Sequence, residues 1–318
     1  MKTNLKKMRK VASVLSNLSE NRRNIFLDHL AKIIEKRKQR IINANKIDVA
    51  NARKNKLSQS FTQRLIFDYV AINNMQKRIK DLKKLRGDIG KIIESKKSKQ
   101  GLILKKVRVP IGVLLVIYES RPEVTIDVAV LCIKSGNAVI LKGGSDAKHT
   151  NEALYDCIKN ALKKTKLPTE IVDMISSRDE TKKLLVRDND IDLVIARGSY
   201  GMVRSILDNS KIPVLAHSAG GARIFVDKSA NLQMAEKIIL SSKISKPSAC
   251  NSLDTIVIHK SIARKFLPKI VPLLLSRDVK VIGDDKVNSI IKVQIAKDKN
   301  WDREFLGLTL SIKIVKNN

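Results

Sequence analysis

The sequence predicts an α/β protein, and three observations carry that reading. From residue 111 onward, a nearly continuous apolar run at 111–118 is followed by short strand-like segments at 138–141, 191–196, 212–215, 223–226, 255–259 and 279–282. Helix-period segments lie between most of them. The turns after three of these runs are rich in glycine and small polar residues: Lys142-Gly-Gly-Ser-Asp-Ala147, Arg197-Gly-Ser-Tyr-Gly201 and His217-Ser-Ala-Gly-Gly-Ala222. A strand that is apolar along its whole length is buried on both faces, the condition of a parallel strand covered by helices. Alternation of such strands with helices implies a parallel sheet covered by helices on both sides.

Residues 11–42 are helical by period. Val11, Val14, Leu15 and Leu18 form one stripe, and Ile25, Phe26, Leu30, Ile33 and Ile34 form a second after a Ser19 cap. Phe61, Leu65, Ile66 and Val70 continue the amphipathic pattern to about residue 85. Residues 101–109 alternate enough to be a strand, placed as an arm outside the main sheet. The segments 122–134, 150–164 and 234–244 are helical between the buried strands.

Composition bounds the function. At 318 residues with 43% hydrophobic and 30% charged, the chain has the make-up of a globular protein of about two domains. The longest apolar run, 109–118, is interrupted by Pro110 and Gly112, so no membrane span is expected. No signal-peptide core follows the basic start, and the default location is the cytoplasm. Cys132, Cys157 and Cys250 are too dispersed for a disulfide framework and match no zinc pattern, so no metal is expected. The chain carries 63 Lys and Arg against 31 Asp and Glu, a net +32. Such an excess raises nucleic-acid binding. Aromatic residues at only 3% and lysines spread along the whole chain weigh against it and favour a solvated basic surface that attracts anionic ligands generally.

In parallel α/β sheets ligands bind at the carboxyl ends of the strands, so the glycine-rich turns are where chemistry is expected. Free backbone N–H groups there suit phosphate oxygens. Neither G-x-G-x-x-G nor G-x-x-x-x-G-K-[ST] occurs, and on composition several of these glycines could simply be turn glycines. Cys250 lies in Lys246-Pro-Ser-Ala-Cys-Asn-Ser-Leu253, a short loop between a helical segment and a strand. A thiol in that setting is a candidate nucleophile; by spacing alone, a packed small hydrophobe is an equal reading.

The segments Val109-Pro-Ile-Gly-Val-Leu-Leu-Val-Ile-Tyr-Glu-Ser-Arg-Pro122, Ser135-Gly-Asn-Ala-Val-Ile-Leu-Lys-Gly-Gly144, Ala196-Arg-Gly-Ser199 and Pro247-Ser-Ala-Cys-Asn251, in this order, resemble the signature stretches of the γ-glutamyl phosphate reductase family, within the aldehyde dehydrogenase superfamily. The resemblance implies a Rossmann-type NADP-binding domain over residues 1–226, with a β-arm for oligomerisation at 100–109, and an α/β catalytic domain over 227–318. It implies NADPH-dependent reduction of L-glutamyl 5-phosphate to glutamate 5-semialdehyde with release of phosphate, the second step of proline biosynthesis. It also implies functional coupling to a glutamate 5-kinase and a homo-oligomer.

The resemblance carries roles to particular residues. Cys250 matches the nucleophile. Lys142 matches the lysine that reaches the adenosine ribose and its phosphate, though a strand-end lysine is also a common surface residue. Arg197, Gly198 and Ser199 match the turn beside the cofactor pyrophosphate. Glu304 resembles the glutamate that holds the nicotinamide ribose; the alternative is an ordinary exposed helix glutamate.

There are departures. The turn at 217–222 lacks the glutamate base that thioester-hydrolysing relatives use, which suits a reductase that must not waste its thioester on water. Glu123 stands where the superfamily often has an asparagine donor, and a carboxylate cannot donate. Family members continue beyond the point equivalent to residue 318, so a C-terminally truncated catalytic domain is expected. Two competing readings follow: a degenerate dehydrogenase scaffold that binds nucleotide or nucleic acid, and a thiol-dependent aldehyde dehydrogenase of other acyl specificity.

Overall fold

The computed structural model describes residues 3–119, 121–217, 220–301 and 303–316. Of the segments singled out above, Ser120, Ser218, Ala219 and Asp302 lie outside the described residues. The chain forms two compact units, Met1–Ser218 and Ala219–Asn318.

The first unit opens with four helices, α1 (Leu5–Ser16), α2 (Glu20–Lys54), α3 (Gln59–Leu65) and α4 (Tyr69–Lys84). The helical stretch expected over 11–42 is broken at 17–19, where the Ser19 side chain accepts from the Arg22 N–H and caps α2, and α2 then runs on to Lys54. A hairpin follows, β1 (Ile92–Lys97) with β2 (Ile103–Val107), antiparallel and exposed along both strands. Sequence reading found only the second strand, because Ile-Ile-Glu-Ser-Lys-Lys has no alternation to mark the first.

The first sheet contains β3 (Val113–Tyr118), β4 (Ala138–Lys142), β5 (Val172–Met174), β6 (Leu193–Arg197) and β7 (Val214–His217), in the order β5-β4-β3-β6-β7 and parallel throughout. Helices α5 (Glu123–Lys134), α6 (Lys148–Lys164), α7 (Arg178–Leu184) and α8 (Tyr200–Asn209) connect the strands. The apolar run of β3 has a direct physical cause. Leu114, Val116 and Tyr118 pack with α2, α5 and α6 on one face, while Val113, Leu115 and Ile117 pack with Leu5, Met8 and Ala12 of α1 on the other. Gly112, at φ +129, precedes the strand at a point where a Cβ would lie 2.1 Å from Asp192 Oδ2, the atom that accepts from the Val113 N–H at 2.7 Å.

The second unit holds β8 (Ala222–Val226), α9 (Leu232–Ile244), β9 (Leu253–His259), α10 (Lys260–Leu275), β10 (Lys280–Gly283), α11 (Asp285–Ile290), β11 (Gln294–Ile295) and β12 (Thr309–Val315). Its sheet has the order β11-β10-β12-β9-β8, again all parallel. Strand β8 belongs to this sheet, whereas the sequence reading drew its domain line after residue 226. Among the described residues no helix is long and apolar enough to cross a membrane.

Candidate active site

Because the first sheet is parallel, the ends of β3, β4, β6 and β7 share one edge. The order reverses between β3 and β6, which puts the switch point at Glu119 and Arg197, the positions that follow and end these strands. Lys142 ends β4, half-buried, and its Nζ donates to Gly143 O at 3.0 Å. Burial, then the nearby positive charge of Arg178, lowers the Lys142 pKa, while Glu119 and Asp146 act the other way. Two cations held near each other over a partly desolvated strand end are relieved by a bound anion. The adjacent Gly143 is packed closely from below, since a Cβ there would sit 2.3 Å from Asn151 Nδ2 and 3.2 Å from Tyr118 Cε2. These features fit a phosphorylated nucleotide cofactor.

The turn after β6 leads directly into α8, with Ser199 as its N-cap residue. The backbone N–H of Ser199 donates to Glu119 Oε2 at 2.7 Å and its hydroxyl to Glu119 Oε1 at 3.0 Å. A carboxylate at a helix N-terminus is favoured by the unsatisfied N–H groups and the helix dipole. Gly198 permits the contact, since a Cβ there would lie 2.7 Å from Glu119 Cδ. Arg197 pairs with Nδ1 of His217 at the end of β7.

Sequence reasoning did not find Glu119, Arg178 or the buried polar groups beneath these turns. Asp48 of α2, 2% exposed, accepts from the Thr150 N–H at 2.8 Å and the Thr150 hydroxyl at 2.6 Å, and its other oxygen meets His149 Nδ1 at 2.7 Å. It therefore caps α6 from another helix. The Tyr118 hydroxyl meets Thr125 Oγ1 at 2.6 Å, and Thr125 Oγ1 donates to Asn151 Oδ1 at 3.0 Å, tying β3, α5 and α6 together under the Lys142 turn. Each partner is remote in sequence and of a common polar type, so no local signal marks it.

In the second unit, Cys250 lies in the turns between α9 and β9 and is half-buried. The other two thiols are buried; desolvation pushes Cys132 up to about 12 and Cys157 up to about 11. The loop is closed by Ala249 N–H to Lys246 O and Ser252 N–H to Ala249 O, both 3.0 Å. Glu304 stands in a non-helical segment rather than on a helix; its Oε1 accepts from the Gly220 N–H at 3.0 Å. Glu123, half-buried, is the first residue of α5.

The aldehyde dehydrogenase family profile matches residues 1–291. The γ-glutamyl phosphate reductase of Thermoanaerobacter pseudethanolicus is 38% identical over 313 residues, covering 98% of this chain and 76% of the relative. The chain belongs to the γ-glutamyl phosphate reductases of the aldehyde dehydrogenase family. The crystal structure of γ-glutamyl phosphate reductase from Thermotoga maritima superposes with a TM-score of 0.89 at 37% identity, covering 98% of this chain and 76% of that one. The fold is shared more widely: glyceraldehyde-3-phosphate dehydrogenase from Methanocaldococcus jannaschii, solved with NADP, matches with a TM-score of 0.64 at 17% identity over 99% of this chain and 75% of that one. As a γ-glutamyl phosphate reductase family member, the protein is an oxidoreductase of the nicotinamide-dependent class acting on a small molecule.

Proposed function

We propose that the protein reduces L-glutamyl 5-phosphate to L-glutamate 5-semialdehyde with NADPH, releasing inorganic phosphate. The observation that carries this reading is the match over nearly the whole chain to enzymes of that name, at 38% identity, together with a half-buried thiol at Cys250 while the other two are buried. An acyl phosphate is a mixed anhydride. The Cys250 thiolate attacks its acyl carbon, the bond to the phosphate oxygen breaks, and phosphate departs with the electron pair, leaving a thioester. When bound, the dihydronicotinamide supplies the hydride that takes the acyl carbon down to the aldehyde level. Collapse of the resulting hemithioacetal returns the thiolate and frees the semialdehyde. In this reading backbone N–H groups of the Cys250 loop donate to the developing oxyanion, a role that a carboxylate at Glu123 would not fill because it only accepts.

Lys142 holds the adenosine ribose and its 2′-phosphate in this reading, with Arg178 close enough to shift its pKa. A phosphate on that ribose answers two cations better than two hydroxyls do, which favours NADP over NAD. Arg197, Gly198 and Ser199 form the turn for the pyrophosphate, and Glu304 holds the nicotinamide ribose. The exposed hairpin of β1 and β2, with Ile103 65% and Leu104 61% exposed, suits pairing with a second copy. An unstable acyl phosphate calls for a kinase working nearby, and a catalytic thiol calls for the reducing cytoplasm.

The reverse reaction gives the test. NADP reduction with glutamate 5-semialdehyde requires phosphate or arsenate, and Cys250→Ala abolishes it while Cys157→Ser does not. Turnover that persists in Cys250→Ala overturns the assignment, and phosphate-independent turnover points to a different acyl specificity.

A further inference from the structure

Beneath the Cys250 loop, where α9 meets the start of β9, lies a lysine that the chemistry above does not use. Lys243, in the last turn of α9, has no solvent exposure. Its ammonium donates to Leu253 O at 2.7 Å and stands 3.9 Å from Asp254 Oδ1. Asp254 is itself 2% exposed. A buried ion pair is a costly way to hold a helix against a strand, because both charges must leave water. Its neighbours suggest what it accomplishes.

Lys243 and Leu253 bracket the loop that carries Cys250, so the Nζ contact ties the two ends of that loop together. The Ser252 hydroxyl adds weaker contacts of 3.4 Å and 3.5 Å to the carbonyls of Ser242 and Lys243. Asp254 then reaches outward with both oxygens. Oδ1 accepts from the Phe305 N–H at 2.9 Å, and Oδ2 accepts from the Ala222 N–H at 3.3 Å. Phe305 adjoins Glu304, and Ala222 begins β8 two residues after Gly220, whose N–H donates to Glu304 Oε1 at 3.0 Å. One carboxylate thus fixes three separate pieces of chain: the nucleophile loop, the start of β8, and the 303–305 segment.

We propose that Lys243 and Asp254 are positioning residues of the active site, a buried charge pair that sets the Cys250 loop and the Glu304 segment in a common register. The ammonium neutralises the carboxylate, and the carboxylate orders the two backbone N–H groups. Charge is what the arrangement uses. Two neutral side chains of the same shape would pack there without fixing the loop ends so firmly, since hydrogen bonds to a charged partner are about twice as strong as neutral ones. The inference rests on the reading of Cys250 as nucleophile, and it extends that reading to residues that touch neither substrate nor cofactor.

The experiment uses the full chain and three variants: Lys243→Met, Asp254→Asn, and the double variant, which removes both charges and leaves no unpaired ion to unfold the unit. Two readouts are taken. Iodoacetamide alkylation of the native protein reports the Cys250 loop alone, because Cys132 and Cys157 are buried. Steady-state kinetics with NADP, semialdehyde and phosphate report kcat and KM separately. The double variant is expected to keep its circular dichroism and its melting transition within a few degrees. Its alkylation rate is expected to change at least fivefold, and its kcat to fall at least tenfold with KM for the semialdehyde within threefold. Each single variant falls further than the double, because it leaves one charge unpaired.

A folded double variant with alkylation rate and kcat within twofold of the wild type overturns the proposal and leaves the pair a packing feature. If the double variant does not fold, Asp254→Asn decides alone: it keeps the shape and an acceptor oxygen, and unchanged alkylation and kcat in it overturn the proposal equally. A wild type that reduces no NADP but whose alkylation responds to these variants separates the two questions, sinking the proposed reaction and keeping the positioning role.

Discussion

The backbone N–H of Ser199 donates to Glu119 Oε2 at 2.7 Å across eighty positions of sequence, placing a carboxylate on the N-terminus of α8. That terminus belongs to the turn proposed for the cofactor pyrophosphate, so an internal anion and the ligand compete for the same N–H groups. Glu119→Gln removes the negative charge and keeps the side-chain length. NADPH is expected to bind about fivefold more tightly to this variant, the effect of about 1 kcal/mol at a helix terminus. Fluorescence titration of bound NADPH measures it; weaker binding in Glu119→Gln would show that the carboxylate shapes the turn rather than obstructs it.

The three cysteines should separate cleanly in a thiol titration. Desolvation holds Cys132 at about 12 and Cys157 at about 11, so neither forms thiolate near neutral pH in the folded protein. At pH 8 the native protein is expected to react with one equivalent of a disulfide reagent, and with three after unfolding in guanidinium. Two or more fast equivalents in the native state would contradict the burial of Cys132 and Cys157.

Asp48→Ala should destabilise the first unit. It leaves the N–H and hydroxyl of buried Thr150 and the ring of His149 without their carboxylate, and takes the cap from α6. The expected cost is about 3 kcal/mol, from charged hydrogen bonds lost inside the protein. Denaturant unfolding followed by circular dichroism reads it, and a loss below about 1 kcal/mol would show that water replaces the carboxylate.

Alkaline pH offers a fourth check. Burial brings Lys243 down to about 8 from an ordinary 10.5, with Asp254 opposing the shift. Between those values the unfolded chain still holds the proton that the folded chain has released. Unfolding then takes up a proton, and stability rises with pH across that window through this group. Below pH 8 both states are protonated and the group adds no slope. Comparing unfolding of the wild type with the Lys243→Met, Asp254→Asn double variant from pH 7 to pH 10 isolates the contribution. A wild-type curve that falls relative to the variant over that range would mean the ammonium is stabilised by its pairing rather than penalised by its burial.

What could be read from the chain alone was whatever repeats locally. Within the run at 111–118, residues 113–118 form a strand buried on both faces, since its alternate residues pack with different helices, while Ile111 lies outside the strand and is exposed. The Ser19 cap, most of the strands and the loop that holds Cys250 were legible for the same reason, because helix and strand periods and turn chemistry span only a few residues, although β7 and β8 are only partly buried, with Leu215 and Phe225 exposed. The resemblance added roles to Lys142, Arg197, Gly198, Ser199 and Glu304, but geometry lay beyond it. Only the folded chain brings Glu119 to Ser199, Arg178 to Lys142, Asp48 to α6, and Asp254 to the N–H groups of Ala222 and Phe305. Those pairings are set by which strands lie side by side and which helix crosses which. A single polar residue, ordinary in its local setting, becomes decisive only when burial removes water as its partner and leaves one particular group in reach.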